Sequence, residues 1–104
     1  MGKENRDVLV LQARAALIMA AQRRSIVTYK ELGYAVGLKD IELRNEMRLV
    51  LERLASECAN QDEPPLTALV VNAQTGAPGA GWHGNGEPWH ADVQRVFRHW
   101  ASRS

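Results

Sequence analysis

Apolar residues recur at helical spacing over the first half of the chain, condense into one unbroken apolar run, and return to helical spacing near the C-terminus. Leu9, Ala13, Ala16, Leu17 and Ala20 form the first stripe, with Gln12, Arg14 and Gln22 off it, which predicts a helix over residues 7–23. Arg23 and Arg24 suit the negative end of its dipole. Ile26 and Val27 are a short β-prone patch. Thr28-Tyr29-Lys30-Glu31 then has the spacing of a capping box, with Thr28 accepting from the backbone three residues on and Glu31 reaching back, so a second helix begins there. Gly37 ends it, and Leu32, Val36 and Tyr34 are its anchors to the core. Gly33 in its middle is either the point where another helix comes close or a tolerated glycine. Asp40 is a good N-cap for a third helix over residues 41–58, whose buried face is Leu43, Met47, Val50, Leu51, Leu54 and Cys58.

The run over residues 66–71 reads as a buried strand. It leads into Asn72, Gly76, Pro78, Gly79 and Gly81, turn formers that predict a projecting ribbon over residues 72–81. Pro88 fits the first turn of a closing helix, with Trp89, Val93, Val96, Phe97 and Trp100 on one face. The order helix, strand, helix, helix, strand, wing and strand, then a last helix, predicts an α+β, mainly α, fold: a winged helix-turn-helix with a two-stranded wing and an additional C-terminal helix. Residues 1–6 read as a flexible N-terminus, 7–101 as a single domain and 102–104 as a tail, in keeping with the size of one compact core.

Composition narrows the function more than the fold. Thirteen Lys and Arg against twelve Asp and Glu give a net charge of +1, so DNA binding would rest on a local patch or on dimerisation rather than on the whole-molecule field. Cys58 is the only cysteine, which excludes an intramolecular disulfide and a Cys-rich zinc site. The apolar stretch over residues 15–21 is interrupted by Arg14 and closed by Arg23-Arg24, too short to span a bilayer. A cytoplasmic protein without a cofactor is the expectation.

In a helix-turn-helix the second helix of the motif lies in the major groove. Its polar residues here are Arg44, Asn45 and Arg48, chemically suited to guanine and adenine edges, while Arg23, Arg24, Lys30 and Lys39 are placed to touch phosphates and Gln74 stands on the wing. Against this, residues 39–57 carry four basic side chains (Lys39, Arg44, Arg48, Arg53) and five acidic ones (Asp40, Glu42, Glu46, Glu52, Glu57). Arg44 and Arg48 would then simply balance their acidic neighbours on a solvated face. The alternative is a protein-interaction module in which Trp82, Trp89 and Trp100 form the contact surface. A weaker alternative is a metal-assisted enzyme built on His83 and His90 with Glu87 and Asp92, although that spacing matches no established ligand pattern. No nucleophile motif or phosphate-binding glycine loop is present, so a non-enzymatic protein is expected.

Val27-Thr28-Tyr29-Lys30-Glu31-Leu32, the Gly-capped helix, the Arg-bearing helix and the proline-led run ending in a Gly-rich hairpin resemble the DNA-binding domain of O6-alkylguanine alkyltransferases and alkyltransferase-like proteins, over residues 26–81. The resemblance implies a winged helix and DNA contact through the third helix. It does not carry the repair chemistry, because Pro65-Leu66-Thr67-Ala68 stands where that family has Pro-Cys-His-Arg or Pro-Trp-His-Arg. Residues 64–72 with Thr75-Gly76-Ala77-Pro78-Gly79 are also similar to a segment of small uncharacterised bacterial proteins and of accessory regions in HNH-type restriction endonucleases. That likeness implies a DNA-handling or defence setting without cleavage, since His83, His90 and His99 lack the nuclease arrangement.

Overall fold

The computed structural model describes residues 3–38, 40–78, 82 and 88–101. Among them the order is α1 (Lys3–Gln22), β1 (Val27–Thr28), α2 (Tyr29–Val36), α3 (Asp40–Asn60), a 3₁₀ helix (Leu66–Leu69), β2 (Val70–Val71) and α4 (Trp89–His99). The protein is therefore mainly α with a small β component. Helix α1 starts at Lys3, inside the segment expected to be flexible, and Arg6 already bonds both oxygens of Glu46 on α3, at 3.2 and 3.3 Å. Its inner face of Leu9, Val10, Ala13, Leu17, Ala20 and Ala21 is buried, and it meets α2, α3, α4 and the 3₁₀ helix.

The capping box forms as its spacing predicts. Glu31 N–H donates to Thr28 Oγ1 at 3.1 Å, and Thr28 N–H donates to Glu31 Oε1 at 2.8 Å. Gly33 is where α3 comes close: a Cβ there would overlap Leu43 Cδ1 and lie 3.1 Å from the Leu38 carbonyl oxygen. Helix α3 runs two residues past Cys58, to Asn60.

The apolar run is not one strand. Residues 66–69 wind into the 3₁₀ helix, and only Val70 and Val71 are extended, paired in parallel with Val27 and Thr28. The reason lies in the partner strand, which becomes α2 at Tyr29 and offers only two residues for pairing. A longer strand would leave buried amides and carbonyls without a ladder, and the 3₁₀ turn satisfies them locally. Ala68 N–H donates to the Pro65 carbonyl at 3.0 Å, and Val70 N–H to that of Thr67.

After β2 the chain makes a tight exposed hairpin. Asn72 N–H donates to Ala77 O at 2.9 Å, Gly76 N–H to Asn72 O at 2.7 Å, and Asn72 Oδ1 accepts from Gln74 N–H at 2.8 Å. Gly76 takes the positive φ of 70° that the turn requires. The two-stranded wing expected here reduces, among the described residues, to a single antiparallel bridge between Val71 and Pro78. Proline has no N–H to extend the ladder. The rest of the expected ribbon, residues 79–81, lies outside the described residues.

Helices α1, α2 and α3 end alike, with one residue in the left-handed conformation and the next N–H bonding a carbonyl of the last turn. In each case that bond reaches the carbonyl five residues earlier, so the closed turn spans six residues: Ser25 N–H bonds Ala20 O at 2.9 Å, Leu38 N–H bonds Gly33 O at 2.8 Å, and Glu63 N–H bonds Cys58 O at 2.8 Å. The left-handed residues are Arg24 (φ 55°), Gly37 (φ 81°) and Asp62 (φ 56°). Only one of the three is glycine, so two of these helix ends carry no glycine signal in the sequence.

Left-handed geometry costs a side-chain-bearing residue about 1 kcal/mol. Arg24→Gly should therefore raise stability by about 0.5–1 kcal/mol, and Gly37→Ala should lower it by a similar amount. Urea midpoints at unchanged m values measure both.

Candidate nucleic-acid interface

Because the capping box sets where α2 starts, it also sets Tyr29 and Lys30 at the edge of the small sheet. Lys30 is exposed and Tyr29 half-buried. Burial pushes the Tyr29 hydroxyl pKa up, Arg48 opposes the shift and Glu52 adds to it, so the middle of α3 lies against the start of α2. Thr28 pairs with Val71 in a parallel register, and Tyr29 and Asn72 therefore leave the same end of the sheet. The exposed hairpin with Gln74 projects from that end.

Packing sorts the charges of α3 into two flanks. On the flank towards α1, Glu46 is held by Arg6, and Arg53 is shared between Asp7 and Glu57. On the flank towards α2 lies Arg48, exposed, with Asn45 exposed one turn earlier. With Glu46, Glu57 and Arg53 engaged on the α1 side, residues 39–57 keep three bases (Lys39, Arg44, Arg48) and three acids (Asp40, Glu42, Glu52), and Glu52 is exposed one turn after Arg48. Arg44 stands on α3 one turn before Arg48, but its side chain lies outside the described set, as does Lys39 altogether. Arg23 and Arg24 are exposed but precede β1, at the opposite end of the strand pair from Lys30 and the hairpin. The start of α2 with Lys30 and the hairpin of Gln74 leave the same end of the strand pair, and Asn45 and Arg48 are exposed on α3. The structure does not bring Arg24 to them.

The three tryptophans are engaged within the chain. Trp82 Nε1 donates to Asp92 at 2.8 Å, and Trp89 Nε1 donates to the Ala68 carbonyl at 2.7 Å. The Arg14 guanidinium lies 5.5 Å above the centre of the Trp100 ring. Arg14 also forms a two-pronged pair with Glu63, at 2.9 and 2.7 Å. Those bonds hold the Glu63 carboxyl below the usual carboxylate range and raise the Arg14 pKa further.

Sequence reasoning missed Asp92 as a structural acceptor. It is only 3% exposed, bonded to Trp82 and ion-paired with Arg95. The available signal was an acid set among Trp89, Val93 and Val96 with Arg95 three residues on. Tyr29 was read only as a filler of the capping box, and no periodicity points to its place beside α3.

The remaining candidates gain no chemistry. His83 and Glu87 lie outside the described residues, His90 is exposed beside the Trp89 ring, and no group of three His, Cys, Asp or Glu among the described residues is placed to hold a metal. Cys58 is buried, and burial pushes its thiol pKa up, away from a reactive thiolate. Leu66, Thr67 and Ala68, which stand at the alkyl-accepting motif of the family resembled, are wholly buried beneath Trp89. A shallow groove of about 500 Å³ runs between Pro64-Pro65 and α4. Two of the acids lining it, Glu63 and Asp92, are already paired with Arg14 and Arg95, which leaves no concentrated charge there. No helix among the described residues is long and apolar enough to cross a membrane. No family model, curated protein or solved structure matches the chain.

The Glu63 shift has a definite sign in stability. A carboxyl whose folded pKa is depressed stabilises the fold above its unfolded value, about 4.3 for Glu, and that contribution is lost as pH falls through the folded value. Wild-type stability should therefore drop on acidification below about pH 4.3, and Glu63→Gln should be less stable at neutral pH and flatter across that window. Thermal melts at a series of pH values read both.

Proposed function

We propose that the protein is a non-enzymatic duplex-DNA binder that works as a winged helix-turn-helix, in a regulatory or defence role. α3 would enter the major groove, while the start of α2 and the hairpin after β2 contact the backbone. The observation that carries this reading is the sorting of charge on α3. The acids Glu46 and Glu57 are drawn to the α1 side by Arg6 and Arg53, while Arg48 and Asn45 stay exposed on α3 and Lys30 stays exposed at the start of α2. Arg48 and Asn45 have the chemistry to read base edges, and Lys30, at the N-terminus of a helix whose amide dipoles also favour anions, suits a phosphate. The hairpin leaves the sheet beside the start of α2, which supports a polar surface that the two would share with α3.

Base-flipping chemistry is no part of this reading. The segment that would receive a flipped base is buried core. With a net charge of +1 the attraction is local, so affinity should be modest and steeply dependent on salt.

Fluorescence anisotropy with a labelled mixed-sequence duplex tests the proposal. Binding should be measurable at low salt and weaken with a log–log slope of about −2 to −4, since about 0.9 of a counterion is released per phosphate neutralised. Lys30→Glu with Arg48→Glu should weaken it at least about tenfold while leaving the melting temperature unchanged, because both side chains are exposed. Absence of binding by the wild-type protein at low salt, or unaltered binding by the double variant, would refute the assignment.

A further inference from the structure

The solvent side of α1 is not built for solvent. Between Asp7 and Arg23 the helix has a single charged residue, Arg14, and that one turns inward to Glu63 and Trp100. The outward face instead presents Val8 (51% exposed), Leu11 (65%), Ala15 and Met19 (59%), at spacings of three and four residues along one stripe. A helix apolar on both sides is normally covered on both sides. The strip is on the scale of the ~300–600 Å² that the largest apolar patch of a monomer reaches, and a patch of that size is often functional.

We infer that this face of α1 pairs with α1 of a second copy of the chain, antiparallel, about a two-fold axis at Ala15. The stripe is self-complementary in that orientation. Leu11 comes opposite the partner's Met19, Val8 opposite the partner's Gln22, and Ala15, the smallest of the set, sits where the helices cross. Charge selects the same orientation. At the start of α1, Asp7 and Glu57 share the one cation Arg53, which leaves a net negative corner, and at the end stand Arg23 and Arg24, both exposed. An antiparallel pair sets each negative corner against the other chain's arginines, twice over, and opposes the helix dipoles. A parallel pair would juxtapose like ends. One helix pair covers less than the about 800 Å² per partner of a standard complex, so the dimer should form at micromolar rather than nanomolar concentration.

Sedimentation equilibrium on the full chain, from low to high micromolar, tests the inference. A monomer–dimer equilibrium is expected, weakened at least about tenfold by Leu11→Asp and by Met19→Asp, with helicity and melting temperature of the monomer retained because both side chains are mostly exposed. Orientation is read by cross-linking under mild oxidation. Ala15→Cys should form a disulfide-linked dimer readily and Val8→Cys should not, and the buried native Cys58 does not compete. A chain that stays monomeric throughout, a dimer indifferent to both Asp variants, or faster cross-linking at position 8 than at 15 would each overturn it. Duplex binding is scored separately, on the Lys30 and Arg48 variants, so failure of one assignment leaves the other standing.

Discussion

Burial of one face of α1 is the constraint to which the rest of the molecule answers. Helices α2, α3 and α4 and the 3₁₀ turn all contact it, and its Leu9, Val10, Ala13, Leu17, Ala20 and Ala21 join a buried cluster that takes in residues from every other element but β1, whose Val27 packs against it. Alanines make up half of that face. Small side chains let the neighbouring elements come close, so the core is filled chiefly by what they bring: Met47, Leu51 and Leu54 from α3, Leu66 and Leu69 from the 3₁₀ turn, Val96 and Phe97 from α4. At about 25 cal/mol per Å² of apolar surface removed from water, this shared burial outweighs any individual hydrogen bond in the structure.

Polar interactions then decide which surfaces stay open. Arg6, Arg14, Arg53 and Arg95 each engage acids, three of them across elements: Arg6 to α3, Arg14 to the segment after α3, and Arg53 back to α1. The partly buried pairs are worth more than exposed ones because solvent screens them less, and they withdraw acids from one side of α3. What remains beside α2 is a polar surface of mixed charge, with Arg48 and Glu52 both exposed. The same arrangement holds the C-terminal segment in place, with the indole N–H groups of Trp82 and Trp89 bonded to Asp92 and to the Ala68 carbonyl.

The short β pair does more than its size suggests. Two residues per strand contribute little stability, yet their parallel register sends α2 and the hairpin out of the sheet side by side. Close approach at Gly33 settles how α2 lies against α3, because no larger side chain fits between Leu43 and the Leu38 carbonyl. Together these two contacts set how the start of α2 lies relative to the hairpin and to α3.

Local chemistry was legible in the chain itself. The capping box at Thr28, the glycine stop at Gly37, the buried face of α3 and the amphipathic α4 all follow from spacings of three and four residues, and each forms where those spacings place it. What depended on partners distant in sequence was not legible. The run over residues 66–71 is buried on all sides, so it has no periodicity to tell strand from 3₁₀ helix, and the two-residue length of β1 decided the matter. Helix ends at Arg24 and Asp62 carry no glycine signal. The direction in which Arg14, Glu46 and Arg53 turn, and with it the charge left on α3, rests on residues 4 to 49 positions away. Periodicity is a property of one segment and can be read from it, whereas pairing partners and surface charge are properties of the packing and exist only once the segments meet.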